Sequence, residues 1–437
     1  MFLAHGVGSR GDLPLPFWMF TWAAALALGL SFVALGVLWT KPRLAEAASG
    51  RLLAAPPMPL PNRLVLWLAR AGALALFMLA LGAGLFGSDR VSENLLPVTL
   101  YVTVWVGCQL IGGTIGDVWR AINPLTTLAL GVELLARRSG VSVQSPPENL
   151  GQYPAAAGLA VFLFLELAHP SGDSPRVLGW ALLVHTMIVL VLAVRWGSAW
   201  IADHEPFSAL FSMIASMAPL HVVEGRLRVR PPMSGLATMA VAPGTLATLL
   251  IVLGGTTFDG FVESEAGRSL FGRPSGWSGA LTLTIGLVMS VLLVTALFGV
   301  GIRWTSSVTG LDEKLVTDKF TPSLVPIVFG YAIAHYAQLL VDETQTFWFS
   351  LSDPAGRGWD LFGAADGTVD FNIVSVNLIA WIQVFAILFG HIGAVLVAHD
   401  RSLELSSEGG DSLRSQYVML LVMVAYSVLG LWLLLNA

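Results

Sequence analysis

Apolar residues fall in long runs, broken at intervals by short polar segments. A bilayer core needs about 20 apolar residues per helix. Ten stretches meet or approach that length, at 16–39, 64–86, 95–115, 154–168, 177–194, 236–254, 279–300, 322–341, 373–398 and 416–435. They predict an all-α polytopic transmembrane helical bundle of about ten spans, forming a single integral membrane domain over 1–437.

Lys and Arg orient the spans. One set of connecting loops holds Lys41, Arg43, Arg51, Arg63, Arg120, Arg137, Arg138, Arg195, Arg226, Arg228, Arg230, Arg303, Lys314, Lys319, Arg401 and Arg414. The alternate set holds only Arg10, Arg90, Arg176, Arg268, Arg273 and Arg357. The positive-inside rule makes the first set cytoplasmic and puts both termini outside. The opposite face is acidic, with its longest expected loop at 342–372, where Trp348 and Trp359 suit the headgroup level.

Composition agrees with this pattern. The chain has 437 residues, 55% of them hydrophobic and 12% charged, with mean hydropathy +0.74. An ordinary soluble domain is about 25% charged. The lipid bilayer is therefore the first partner. A net charge of −5 without a basic run speaks against nucleic acid. Cys108 is the only cysteine, which excludes an internal disulfide and a thiolate metal cluster. The opening "MFLAHGVGSRGDLPLP" has too short an apolar stretch before His5 for a signal peptide, but "LAHG" looks like the tail of one; a start codon chosen too late would place His5 at a processed N-terminus.

Two segments look alike. "VWRAINPLTTLAL" follows the third span and "AWIADHEPFSALF" the fifth. In each, Asn123 or Glu205 precedes a proline suited to the first position of a helix. Short helices lying on the inner interface are expected at 119–136 and 200–218, as parallel repeats of one unit. Asp117, Arg120 and Asn123 would form a network at that face.

Polar residues inside spans are costly and mark interior or wet surfaces. At 100° per residue, Tyr331, His335, Gln338 and Asp342 lie within about 60° of one another on one helix face. That stripe leads to Glu343 and Asp353. The ninth span supplies Gln383 and His391, then His399 and Asp400. His391 and His399 stand about 12 Å apart in rise, too far for one ion. A His335–His391 metal pair needs a tilt or a break, for which Gly390 and Gly393 offer a place, or else close packing. The run "GGTTFDG" predicts a glycine-rich turn ending the sixth span, with Asp259 either capping it or facing the same cavity as Asp342. Glu166 and His169 end the fourth span, and His185 sits centrally in the fifth as a packing histidine. Motifs of the HExxH, GxSxG and GxxxxGKS types are absent.

Six segments together carry a resemblance: "AHGVGSRGDLPLP", "VWRAINPLTTL", "TTFDG", "GYAIAHYAQLLVDETQ", "LSDPAGRGWDLFG" and "GHIGAVLVAHDRS". Their order and spacing resemble a bacterial, mostly actinobacterial, family of multi-span membrane proteins labelled fenitrothion hydrolase. The resemblance runs over the whole chain and rests on His335, Gln345, Ser352, Asp353, Pro354, Gly356, Asp360, His391, His399 and Asp400. It implies a bacterial inner-membrane location and cleavage of organophosphorus triesters to a phenol and a dialkyl phosphorothioate.

The expected activity is thus a membrane-embedded hydrolase of phosphotriester-like small molecules. His335, Asp342, Glu343 and Asp353 would be catalytic. Tyr331, Gln338, Trp348, Phe349 and Gln383 would bind substrate, the aromatic pair walling an aryl leaving group. His335 and His391 would hold a divalent metal ion if the reaction is metal-assisted. Two other classes fit the same residues. One is a secondary transporter using the His/Asp stripe as a proton or cation path. The other is an accessory subunit of a metal-handling or respiratory complex.

Overall fold

A computed structural model describes residues 17–52, 63–223, 226–272, 274–406 and 412–435. The expectation at His5 lies outside them. The protein is 76% helical. Its main helices are α1 (Phe17–Leu38), α2 (Arg63–Phe86), α3 (Leu95–Thr114), α4 (Pro124–Arg138), α5 (Tyr153–Leu167) and α6 (Pro175–Trp196). They continue as α7 (Pro206–Ala215), α8 (Thr245–Glu263), α9 (Gly276–Thr309), α10 (Leu324–Ser352), α11 (Val376–Ser406) and α12 (Ser412–Leu435). Among the described residues eight helices are long and apolar enough to cross a membrane: α2, α3, α6, α8, α9, α10, α11 and α12. The first and fourth expected spans appear as apolar helices whose described lengths are shorter, Trp22–Leu38 and Tyr153–Leu167. A small antiparallel sheet, β1 (Arg51–Leu52), β2 (Leu220–Val223) and β3 (Arg226–Val229), has β3 in the middle.

Burial separates the helices into two groups. The apolar windows of α8 and α10 are 72% buried inside the protein, whereas those of α6 and α9 are 28% buried. Large apolar side chains cover the outer surface of the second group, among them Trp180, Val191, Leu281 and Met289. So continuous an apolar outer surface suggests a membrane protein, with lipid as the solvent that accepts it. Helix α10 is central and packs on α3, α8 and α11. Its closest approach to α11 is at Gly330 and Gly390, where a Cβ on either would meet the other helix's backbone. Small residues allow that approach, and dispersion between the backbones holds it. "FGHIGA" is therefore a close-packing element within a continuous helix.

Two boundaries differ from the sequence expectation. The sixth span was expected at 236–254, but α8 begins at Thr245. Pro243 has no N–H to give, and Gly244 takes φ +88°. The run 254–260 is then helix rather than turn. Its glycines face neighbours: Gly254 packs on Val291 of α9 and Gly255 on Leu163 of α5. The expected loop at 342–372 begins later, because α10 continues to Ser352. Asp342 and Glu343 are helical residues, and Gln338 Nε2 donates to Asp342 Oδ2 at 2.7 Å, one turn on.

The two similar segments fold alike. Asn123 accepts from the N–H groups of Leu125 and Thr126, and Glu205 from those of Phe207 and Ser208. Each thereby caps a helix with proline at its first position. The two starts meet, since Asn123 Nδ2 donates to Ser208 Oγ at 2.8 Å and Ser208 Oγ donates to Glu205 Oε2 at 2.6 Å.

Candidate functional site

Because α8 is shifted, Asp259 lies in the protein core, 1% exposed, facing His335 of α10 at 2%. His335 Nε2 and Asp259 Oδ2 are 2.7 Å apart. The next residue on α10, Tyr336, directs its hydroxyl to Glu166 Oε1 of α5 at 3.2 Å and to Asp259 Oδ2 at 3.3 Å. Its ring stands edge-on to the imidazole, with centroids 4.7 Å apart. Glu166 is buried too, and its Oε2 has no hydrogen-bond partner among the described residues. Two carboxyls, an imidazole and a phenol thus share one buried volume between α5, α8 and α10. Helix α3 closes it with a widened stretch, Thr99–Gly107, that follows the i→i+5 pattern and packs on α10. Such stretches often accompany functional sites in helices.

A second line of polar groups continues through the core. Tyr331 lies one turn before His335, and its ring packs 6.4 Å from that of Tyr426 on α12. The Tyr426 hydroxyl bonds Thr257 of α8. His391 of α11 has its ring 6.1 Å from Tyr426. His391 Nδ1 donates to the Ile387 carbonyl at 2.9 Å, which leaves Nε2 as a bare acceptor, buried and without a partner among the described residues. His399, two turns further, is tied to Gln416 and to the Trp39 carbonyl, 3.0 Å each. Asp400 accepts from Trp39 Nε1, from the N–H groups of Arg43 and Leu44, and from Arg401. These last residues fasten the α1–α2 connection to α11.

The structure therefore divides the residues singled out in the sequence. His335 and Tyr331 join the core cluster, together with Asp259, Glu166 and Tyr336. The first of those three was expected in a turn, the second near a solvated end, and the third was not singled out. Gln338 and Asp342 pair with each other beyond the cluster. Glu343 is half-buried. Asp353 accepts from the N–H groups of Arg357 and Gly358, at 2.9 and 2.7 Å, and so shapes the loop that follows α10. Ser352 works beside it, donating to Asp360 and accepting from the N–H groups of Phe362 and Ala364. Donation from Ala365 N–H and from the Ser352 hydroxyl holds the Asp360 carboxyl below the usual carboxylate range. Phe349 packs on Gly367, Trp348 is exposed, and Gln383 is half-buried on α11.

Of the expected metal pair, His335 has one ring nitrogen on Asp259, and His391 has one on the Ile387 carbonyl with its ring against Tyr426. Among the described residues no group of three or more His, Cys, Asp or Glu side chains is placed to hold a metal ion. A cavity of about 460 Å³ does lie against α10 and α11, but it is lined by Phe329, Ile333, Trp381 and Phe385. Residues 329 and 333 are on the side of α10 opposite His335.

A second His–carboxylate pair stands apart from the core. Glu205, the cap of α7, is fully buried, and His185 of α6 approaches its Oε1 with Nε2 at 3.3 Å. On one side of Glu205 is a polar cavity of about 190 Å³ lined by Asp117, Arg120, Asn123, Ser198 and Ser208. This is the network expected from the sequence at that face. Burial raises the Asp117 carboxyl above its usual range, against the lowering effect of the Arg120 N–H. On the other side is an apolar cavity of about 610 Å³ into which His185 looks.

Comparison with models of protein families, with curated proteins and with solved structures finds no match to this chain.

Proposed function

We propose that the protein is a proton-coupled membrane transporter in which the Asp259–His335–Tyr336–Glu166 cluster takes up and passes on a proton. The observation that carries this reading is the 2.7 Å His335–Asp259 contact inside the helix bundle, with a second carboxyl joined through one tyrosine hydroxyl. Ionised groups in a bilayer core cost several kcal/mol unless balanced. One imidazolium balances one carboxylate. The second carboxyl then holds a proton, and Tyr336 lies between the two acids to pass it. The bare Nε2 of His391 offers a further acceptor beyond Tyr331 and Tyr426. Groups of this kind, lined up through a helical bundle, are what a proton relay needs.

Infrared difference spectra on acidification test the reading. The expected result is a protonated-carboxyl band that disappears in Glu166→Gln or Asp259→Asn, together with proton uptake by loaded vesicles that those variants lose. Unchanged bands and uptake in both variants would overturn it.

The same contact favours one second reading. A histidine held by a carboxylate is also how a general base is oriented. Hydrolysis of a phosphotriester-like substrate, the activity implied by the family resemblance, would then use His335 to activate water. Release of phenol from a chromogenic triester, lost in His335→Leu, would support this reading; vesicle flux without product would favour transport.

The finer arrangement belongs to the same proposal: ten spans, both termini outside, and α4 and α7 lying along the cytoplasmic interface of a bacterial inner membrane. The charge asymmetry of the loops supports it. In a Cys108→Ala background, Thr368→Cys should react with an impermeant thiol reagent on intact cells, and Glu313→Cys should not. The reverse labelling pattern would invert the topology.

A further inference from the structure

The large apolar cavity by α6 has a polar end that the proton cluster does not use. It opens between α5, α6 and α7, bounded by Gly158, Val161, Ala181 and Phe207 among others. Its volume, about 610 Å³, is within the ordinary range for small-molecule sites. Val184 and Ile188 line it and are themselves exposed on the apolar surface, so entry is from the lipid side. Two imidazoles, His185 and His204, are its ionisable side chains.

Their hydrogen bonds decide what they offer a ligand. His185 Nε2 carries the hydrogen directed to the Glu205 carboxylate, and His204 Nδ1 carries the hydrogen directed to the Trp200 carbonyl at 2.8 Å. In neutral imidazoles the other nitrogen is then a bare acceptor. Those nitrogens, His185 Nδ1 and His204 Nε2, make no hydrogen bond among the described residues. An imidazole acceptor facing hydrocarbon would gain from a donor that lipid tails cannot supply. The rings of Phe162, Trp180 and Phe207 around the same space suit a flat, apolar body.

We propose that this cavity binds a lipid-soluble molecule bearing a ring hydroxyl, of the phenol or quinol class, with the hydroxyl donating to His185 or His204. Glu205 is a positioning residue: its carboxylate fixes the His185 tautomer and thereby the acceptor. This site is separate from the Asp259–His335 cluster and does not depend on the transport reading.

The test compares two probes that differ only in the donor, tritiated 4-nonylphenol and its methyl ether, on the full chain in lipid nanodiscs. The expected result is saturable binding of one phenol per chain, about ten-fold tighter than the ether, which is the worth of one hydrogen bond. His204→Phe or His185→Phe should reduce that preference, and the double variant should abolish it. Ala181→Trp, which fills part of the cavity, should remove saturable binding of both probes. Thermal unfolding confirms that each variant is folded. If His185→Phe does not fold, His204→Phe and Ala181→Trp still decide the matter. Equal affinity for phenol and ether, or saturable phenol binding that survives Ala181→Trp, would overturn the proposal and leave the cavity to acyl chains.

Discussion

Two histidine–carboxylate pairs in one helical bundle have opposite surroundings. Asp259 and His335 face each other at 2.7 Å between the most buried helices, with Tyr336 and Glu166 as their company. Glu205 and His185 are 3.3 Å apart, with the acid buried and the imidazole 28% exposed beside a cavity of about 610 Å³. Glu205 also accepts from two backbone N–H groups and the Ser208 hydroxyl, so its charge is spread over a helix start. Around Asp259 the partners are side chains of α10, His335 and the Tyr336 hydroxyl. A carboxylate at a helix start keeps its backbone donors when one side-chain partner is lost.

That contrast makes its largest prediction in the core. His335→Leu should destabilise by about 3 kcal/mol, because Asp259 is left buried without its imidazole. The double variant His335→Leu/Asp259→Leu should recover most of that loss, measured as thermal midpoints in detergent. A single variant as stable as the parent would remove the distinction between the two pairs. At the periphery, His185→Leu should cost roughly 1 kcal/mol or less, since the carboxylate keeps its three other donors. Glu205→Ala should cost more than His185→Leu, about 1–2 kcal/mol, by uncapping α7. The reverse order would mean that the ion pair, not the cap, holds this region.

The smallest effect concerns pH. Glu133 of α4 accepts from Ser198 N–H at 2.6 Å and from Arg137, and these donors hold its carboxyl below the usual range. A carboxyl depressed in the folded state contributes stability above its unfolded pKa, about 4.3. That contribution is lost as pH falls through the folded value. The thermal midpoint should therefore drop a little more on acidification in the parent than in Glu133→Gln. Identical acid profiles would show that this contact carries nothing.

The helical architecture was legible because apolar runs of bilayer length leave few alternatives. So was the stripe on α10, which needs only helical periodicity to align Tyr331 with His335. The partners of His335 were not. Asp259 was expected in a turn because the apolar run from 236 hides the break at Pro243–Gly244, and because three glycines in "GGTTFDG" suggest a bend. In the fold those glycines are helical, and α9, α5 and α12 lie where the side chains of Gly254, Gly255 and Gly260 would be. Glu166 comes from α5, 93 residues before Asp259 in sequence, and nothing local announces the contact. Asp353 was expected to be catalytic, and only the turn geometry displays that its oxygens also accept from the loop N–H groups of Arg357 and Gly358.

The contact of Gly330 with Gly390 has a mechanical consequence. Where two helices touch through backbone, neither can slide or roll without driving main chain into main chain. Helices α10 and α11 therefore travel as one beam, carrying His335 and His391 together. If the molecule rocks between two shapes, its bearing surface must be sought elsewhere. Around His335 that leaves α5 and α8, where the hydrogen bonds of Tyr336 to Glu166 and Asp259 can be broken and remade.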